Sequence, residues 1–142
     1  MDANWMKLEF PSESVNVQFA RTTVAIFASQ LDFTLEEIEE IKVAVSEAVS
    51  NSVIHGYSAS HGNVIMKVKY TPTQFTVSVE DFGRGISDIV QAQESGYTTI
   101  PEERMGIGLY FIQEYMDEVS LHSEVGKGTK IVMVKTVKPI QG

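Results

Sequence analysis

Glu47 and Asn51 stand four residues apart in a run that reads as helix, so their side chains share one face about one turn apart. A carboxylate can take a proton from an attacking hydroxyl. An amide oxygen is a hard ligand of the kind Mg²⁺ accepts. A solvated helix face can carry the same pair, but the neighbouring Ala44, Val45, Ser46, Ala48, Val49, Ser50 and Ser52 are small or apolar. That environment suits the wall of a pocket better than an open surface.

Three glycine-rich segments could complete such a site. Asp81-Phe82-Gly83-Arg84-Gly85 follows directly from a strand; it reads either as a turn or as backbone that lies close to a flat ligand beside a carboxylate acceptor. Adenine has an exocyclic amino donor that matches such an acceptor. Gly106-Ile107-Gly108-Leu109 is expected to open a helix, where free amide N–H groups cradle anions, with Arg104 two residues earlier. It lacks the Gly-Lys-Ser/Thr ending of a phosphate loop and does not follow a strand as a dinucleotide fingerprint does. Gly126-Lys127-Gly128-Thr129 reads first as a hairpin turn, with a hydroxyl at Thr129 able to reach a base. His55 reads as a cap or structural residue, and His61 and His122 have no metal-like spacing to it.

These segments need elements to hold them. Trp5–Phe10 reads as a short strand ending at Pro11, and a helix from about Ser12 or Ser14 carries Val15, Phe19, Val24, Phe27, Ala28 and Leu31 toward a core. The next helix opens on a capping box, Thr34-Leu35-Glu36-Glu37. It packs through Ile38, Ile41, Val45, Ala48 and Ser52 and stops at Gly56. Alternation at Val64, Met66, Val68 and Tyr70, a turn over 71–74, and alternation at Phe75, Val77 and Val79 predict an antiparallel pair. Gly83 to Arg104 lacks periodicity and reads as a long functional loop with one short helix, a lid. A third helix from about Gly106 to Met116 and strands at 119–123 and 129–137 follow. The predicted fold is α+β: a two-layer sandwich of a mixed, mostly antiparallel sheet with helices on one face.

A chain of 142 residues is sized for one domain, so residues 1–142 are expected to form a single unit. The formal charge of −8 argues against general nucleic-acid binding. It still allows a nucleotide neutralised by Mg²⁺ and amide groups, and it suits a partner with basic surface. No apolar run approaches membrane-spanning length, the first residues have no secretion pattern, and there is no cysteine. A cytoplasmic protein is expected.

In order and separation, Glu47-xxx-Asn51, Asp81-x-Gly83-x-Gly85 and Gly106-x-Gly108 resemble the asparagine box and two glycine boxes of the gyrase–Hsp90–histidine kinase–MutL ATPase superfamily. Within it, Phe19-Ala20-Arg21, Val45 to Asn51, Ile54-His55-Gly56-Tyr57, Glu103-Arg104, Tyr115 to Val119 and Ser123-Glu124-Val125 are similar to bacterial anti-sigma factor serine kinases. The resemblance runs from about Leu8 to Val134. Met105 and Leu109 depart from it, at positions that bear on the lid.

The resemblance implies a Bergerat-type ATP site in which Asn51 binds Mg²⁺ and Glu47 is the base. Asp81, beside Gly83 and Gly85, would accept from adenine with Thr129 close by, while Arg104 and the Gly106 and Gly108 amides hold phosphates. It further implies a homodimer that sequesters a sporulation sigma factor and phosphorylates a serine of an anti-anti-sigma factor, with Arg21 on a partner surface. Two alternatives stay open: a nucleotide-gated binding module with little turnover, and the related stress-response anti-sigma B kinases. A histidine kinase catalytic domain is expected not to apply, because no phosphoacceptor helix precedes the domain sequence.

Overall fold

The computed structural model describes residues 3–57, 61–85 and 102–138, and within them the side chains of all but residues 55 and 102–105. In chain order the elements are β1 (Asn4–Pro11), α1 (Asn16–Ala28), α2 (Leu35–Asn51), β2 (Asn63–Tyr70), β3 (Gln74–Asp81), α3 (Glu102–Tyr115), β4 (Glu118–Glu124) and β5 (Gly128–Thr136). One π-helical turn, Ser52–Gly56, extends α2.

Alternation does the work in the sheet. Val64, Met66 and Val68 of β2, Phe75, Val77 and Val79 of β3, and Ile131 and Met133 of β5 are all buried on one face. Against that face lie Ile41, Ala44, Val45, Ala48 and Val49 of α2, with α1 and α3 on either side of it. The capping box forms: the Glu37 N–H donates to Thr34 Oγ1 at 3.1 Å, and the Thr34 N–H to Glu37 Oε1 at 2.9 Å. It fixes the start of the helix whose far end carries Glu47 and Asn51.

The strand order is β1-β2-β3-β5-β4, and every pairing is antiparallel. The mixed character expected of the sheet survives only in strand direction. The crossover β3–α3–β4 leaves β3 and β4 pointing the same way, but β5 returns by hairpin and inserts between them, so among the described residues no parallel pair bonds. Insertion sets Thr129 directly opposite Asp81.

Two expectations about helices need correction. In α1 the buried residues are Ala20, Val24, Phe27 and Ala28, whereas Val15 and Phe19 face outward, 60% and 64% exposed. Apolar residues occupy both sides of this helix, so periodicity alone could not choose the inner one. The third helix begins at Glu102, a full turn before Gly106. The Glu102-Glu103-Arg104-Met105 sequence is composed of good helix formers, and the two glycines are carried inside the helix. Of the predicted lid, Gly83 to Arg104, residues 86–101 lie outside the described residues.

Candidate functional site

The end of α2 widens into its π turn as it reaches the sheet, a distortion frequent at functional sites. Ser52 is buried there, and the carbonyl of Gly56 is left to accept the Arg84 N–H at 2.9 Å. A β-carbon on Gly83 would lie 1.9 Å from that same carbonyl oxygen, so only glycine lets the loop after β3 cross the end of α2. Gly85 adopts φ +77°, which favours glycine, and the Arg84 carbonyl next to it accepts from the Gly126 N–H at 2.9 Å. The glycine loop is thereby pinned between the end of α2 and the β4–β5 turn.

Asp81 ends β3 facing the helices and is 4% exposed. The Gly83 N–H donates to its Oδ1 at 3.0 Å, and the Ser52 hydroxyl and Thr129 N–H also donate to the carboxylate. Burial pushes the carboxyl above its usual range; these three donors pull back, and Glu80 adds a smaller upward push. The result is a desolvated acceptor on a fixed wall. Beside it the Ser123 hydroxyl donates to the Gly128 carbonyl at 3.1 Å and lies 2.8 Å from the Thr129 hydroxyl.

One pocket gathers Asn51, Asp81, Gly85 and Thr129, four of the residues singled out from sequence, and Gly83 borders it through Asp81. Ala48, Val79, Leu109, Leu121 and Ile131 supply flat apolar walls. The Glu47 and Asn51 pair opens onto α3 at Gly108. A β-carbon at Gly108 would lie 2.7 Å from Glu47 Oε2 and 3.6 Å from both terminal atoms of Asn51. Gly106 and Gly108 are both buried. Because they sit inside α3, their amides serve the helix itself, and the free amides expected of a helix start belong to its first turn. The Arg104 side chain lies outside the described residues, although its backbone is in that turn. Arg21 lies on α1, half-buried and apart from the pocket.

Helical spacing puts Ser52 in the packing stripe, whereas its hydroxyl meets the Asp81 carboxylate. Nothing but a strand's end pairing with a helix's end could have shown that contact. Tyr57 had no assigned role, and its hydroxyl proves to touch β2 and β3 together.

A carboxylate acceptor with apolar walls, joined to an oxygen pair under a glycine-bearing helix, defines a nucleotide-binding domain. The family model for the histidine kinase-like ATPase domain matches residues 10–135. The anti-sigma F factor of Clostridium acetobutylicum is 48% identical over 133 residues, 93% of each chain. That of a Thermoanaerobacter species is 47% identical over 135 residues, 94% of each. That of Clostridium novyi is 45% identical over 143 residues, 99% of this chain and 100% of the relative. Among solved structures, the histidine kinase domain of the Erythrobacter litoralis blue-light activated kinase matches with a TM-score of 0.51 at 20% identity, and it shares the fold. That match covers 90% of this chain and 62% of the solved one. The chain belongs to the histidine kinase-like ATPase family, and within it to the anti-sigma F factors. It binds ATP. No helix among the described residues is long and apolar enough to cross a membrane.

Proposed function

We propose that the chain, acting as one domain over residues 1–142, is an ATP-dependent protein-serine kinase and anti-sigma factor. It sequesters sigma F and phosphorylates a serine of an anti-anti-sigma factor. The observation that carries this reading is the meeting of Asn51, Asp81, Gly85 and Thr129 in one pocket, with Glu47 one turn along α2. The relatives' shared name, over nearly the whole chain, supports the partners.

Asp81 accepts the hydrogen bond of the adenine amino group, and the Thr129 hydroxyl contacts the ring beside it. Gly83 and Gly85 keep side chains away from the base. The triphosphate runs from there toward the first turns of α3, where Arg104 supplies charge and Gly106 and Gly108 present backbone without β-carbons. Glu47 receives the proton of the partner's serine hydroxyl as the oxygen bonds to the γ-phosphorus, and the bond to the β-phosphate oxygen breaks. Catalysis of this kind is mainly positioning and electrostatics.

Mg²⁺ fits the donors present. Asn51 offers a hard amide oxygen at the pocket, and among the described residues no three acidic or imidazole side chains converge into a closed metal cage. Asn51 would hold the ion, which would neutralise charge on the transferring phosphate. Arg21 and the outward side of α1 are the partner-facing surface, in a homodimer.

Single-turnover phosphoryl transfer to the anti-anti-sigma partner tests the assignment. Glu47→Ala is expected to keep ATP and sigma F binding while transfer falls by about 10²- to 10⁴-fold. Transfer at the wild-type rate removes Glu47 from the chemistry. Wild-type protein that binds both partners in a nucleotide-dependent manner without any transfer favours the gated binding module.

A further inference from the structure

We infer that Tyr57 is a positioning residue for adenine recognition, its hydroxyl replacing one rung of the β2–β3 ladder so that Asp81 is set at the correct depth. The inference rests on the reading of Asp81 as the adenine acceptor. In the β2–β3 register Val64 faces Asp81, so the next step would pair Asn63 with Phe82. The strand assignment of β3 stops at Asp81, before that step. In its place the Tyr57 hydroxyl accepts the Phe82 N–H at 2.7 Å and donates to the Asn63 carbonyl at 2.8 Å. The two strand ends are held apart by the width of one oxygen, and β3 turns off the sheet immediately after its carboxylate.

The phenol is built in. Tyr57 is 8% exposed. A β-carbon at Gly62 would lie 2.3 Å from its ring, so the opposing strand entry is cut to glycine to admit it. Ser12 fixes that glycine from both sides: its N–H donates to the Gly62 carbonyl at 2.8 Å, and its Oγ accepts the Gly62 N–H at 3.2 Å. Burial pushes the phenol's titration upward, so the hydroxyl keeps the proton it donates to Asn63. Tyr57 follows directly on Gly56, which packs against the Asp81 carboxylate: a β-carbon there would lie 2.9 Å from its Oδ1. One short segment therefore sets the carboxylate from two directions.

Removing the hydroxyl while keeping the ring leaves the Phe82 N–H without its acceptor and frees the end of β3, so that Asp81 is no longer set at its depth. The test measures calorimetric affinity of the full chain for ATP and for purine riboside triphosphate, which lacks the 6-amino group, in wild type and Tyr57→Phe. The expected result is a loss of roughly 3- to 10-fold for ATP, the size of one hydrogen bond, with purine riboside triphosphate binding unchanged. The KM for ATP rises correspondingly while kcat at saturation holds. Equal losses for both nucleotides, or none, overturn the inference. Amide exchange at Phe82 separates it from the reading beneath it. Faster exchange in Tyr57→Phe, in a protein whose wild type does not distinguish the two nucleotides, upholds the bridge and removes Asp81 as the adenine acceptor. Unchanged exchange removes the bridge.

Discussion

Gly108 of α3 stands directly over the carboxylate of Glu47 on α2, so close that an added β-carbon would lie 2.7 Å from Oε2. The pair fixes how near the two helices approach at the place where Asn51 also faces inward. Its consequences can be separated experimentally, because the atom in the way is the flexible end of a side chain.

Gly108→Ala is expected to fold normally. Alanine gains about 1 kcal/mol of helix propensity over glycine, and Glu47 can swing aside at little cost. The displaced carboxylate no longer meets the partner's hydroxyl, so phosphoryl transfer should fall by roughly 10- to 100-fold. Thermal unfolding and single-turnover transfer on the same preparation check this. Transfer at the wild-type rate would refute it.

Asn51→Ala removes the amide oxygen from the pocket wall. ATP affinity measured with Mg²⁺ is expected to drop by at least about tenfold, while affinity measured in chelator changes much less. The circular dichroism spectrum should be unchanged, because the residue is only half-buried. Equal loss with and without the ion would place Asn51 outside metal binding.

Asp81 gives a pH signature. Burial raises its carboxyl in the folded state, so the native protein binds that proton more tightly than the unfolded chain does. Its contribution to stability is therefore fully present below the unfolded carboxyl's titration and is lost as pH rises through the raised value. Asp81→Asn carries no such charge. The unfolding temperature of wild type, measured relative to that variant, should fall from about pH 4 toward 7, and ATP affinity of the variant should be weaker throughout. A difference that stays flat with pH would contradict the burial argument.

Lys135 tests the other end of the fold. It is 5% exposed, and its Nζ donates to the Tyr115 carbonyl at 2.5 Å and to Glu40 Oε1 at 3.1 Å. One ammonium thus satisfies the last turn of α3 and ties it to α2. Lys135→Ala should cost about 3–5 kcal/mol, the range for breaking a buried pair, measured by urea unfolding. Nucleotide affinity at low temperature should be preserved, since the contact is far along the helices from Asn51. A cost below about 0.5 kcal/mol, typical of surface pairs, would show the pair to be idle.

Much of this site was legible in the chain because its parts are local. The Thr34–Glu37 box fixed the start of α2, and the 3.6-residue period from there put Glu47 and Asn51 on one face. Alternation along β3 put Asp81 on the buried side. What stayed hidden depends on distant segments meeting. The Ser52 contact to Asp81 and the Tyr57 bridge arise from packing between elements, which no spacing records, whereas the start of α3 before Gly106 lies in the helix formers Glu102 to Met105 and is masked by the two glycines that follow. Phe19 failed for a different reason: α1 is apolar on two sides, and only the position of α2 decides which becomes the core.

The insertion of β5 between β3 and β4 has a consequence for biosynthesis. Thr129 belongs to the last of the described strands to be made, yet that strand lies inside the sheet, between β3 and β4, and Thr129 forms part of one wall of the pocket. A nascent chain that has cleared the ribosome only as far as Glu124 has β3 with an open edge and β4 with no neighbour to hold it. Such a chain can assemble the helices and the β1–β3 meander, but its base-binding wall is missing and a bare strand edge invites foreign pairing. Competence to hold nucleotide therefore arrives all at once, with the closing hairpin.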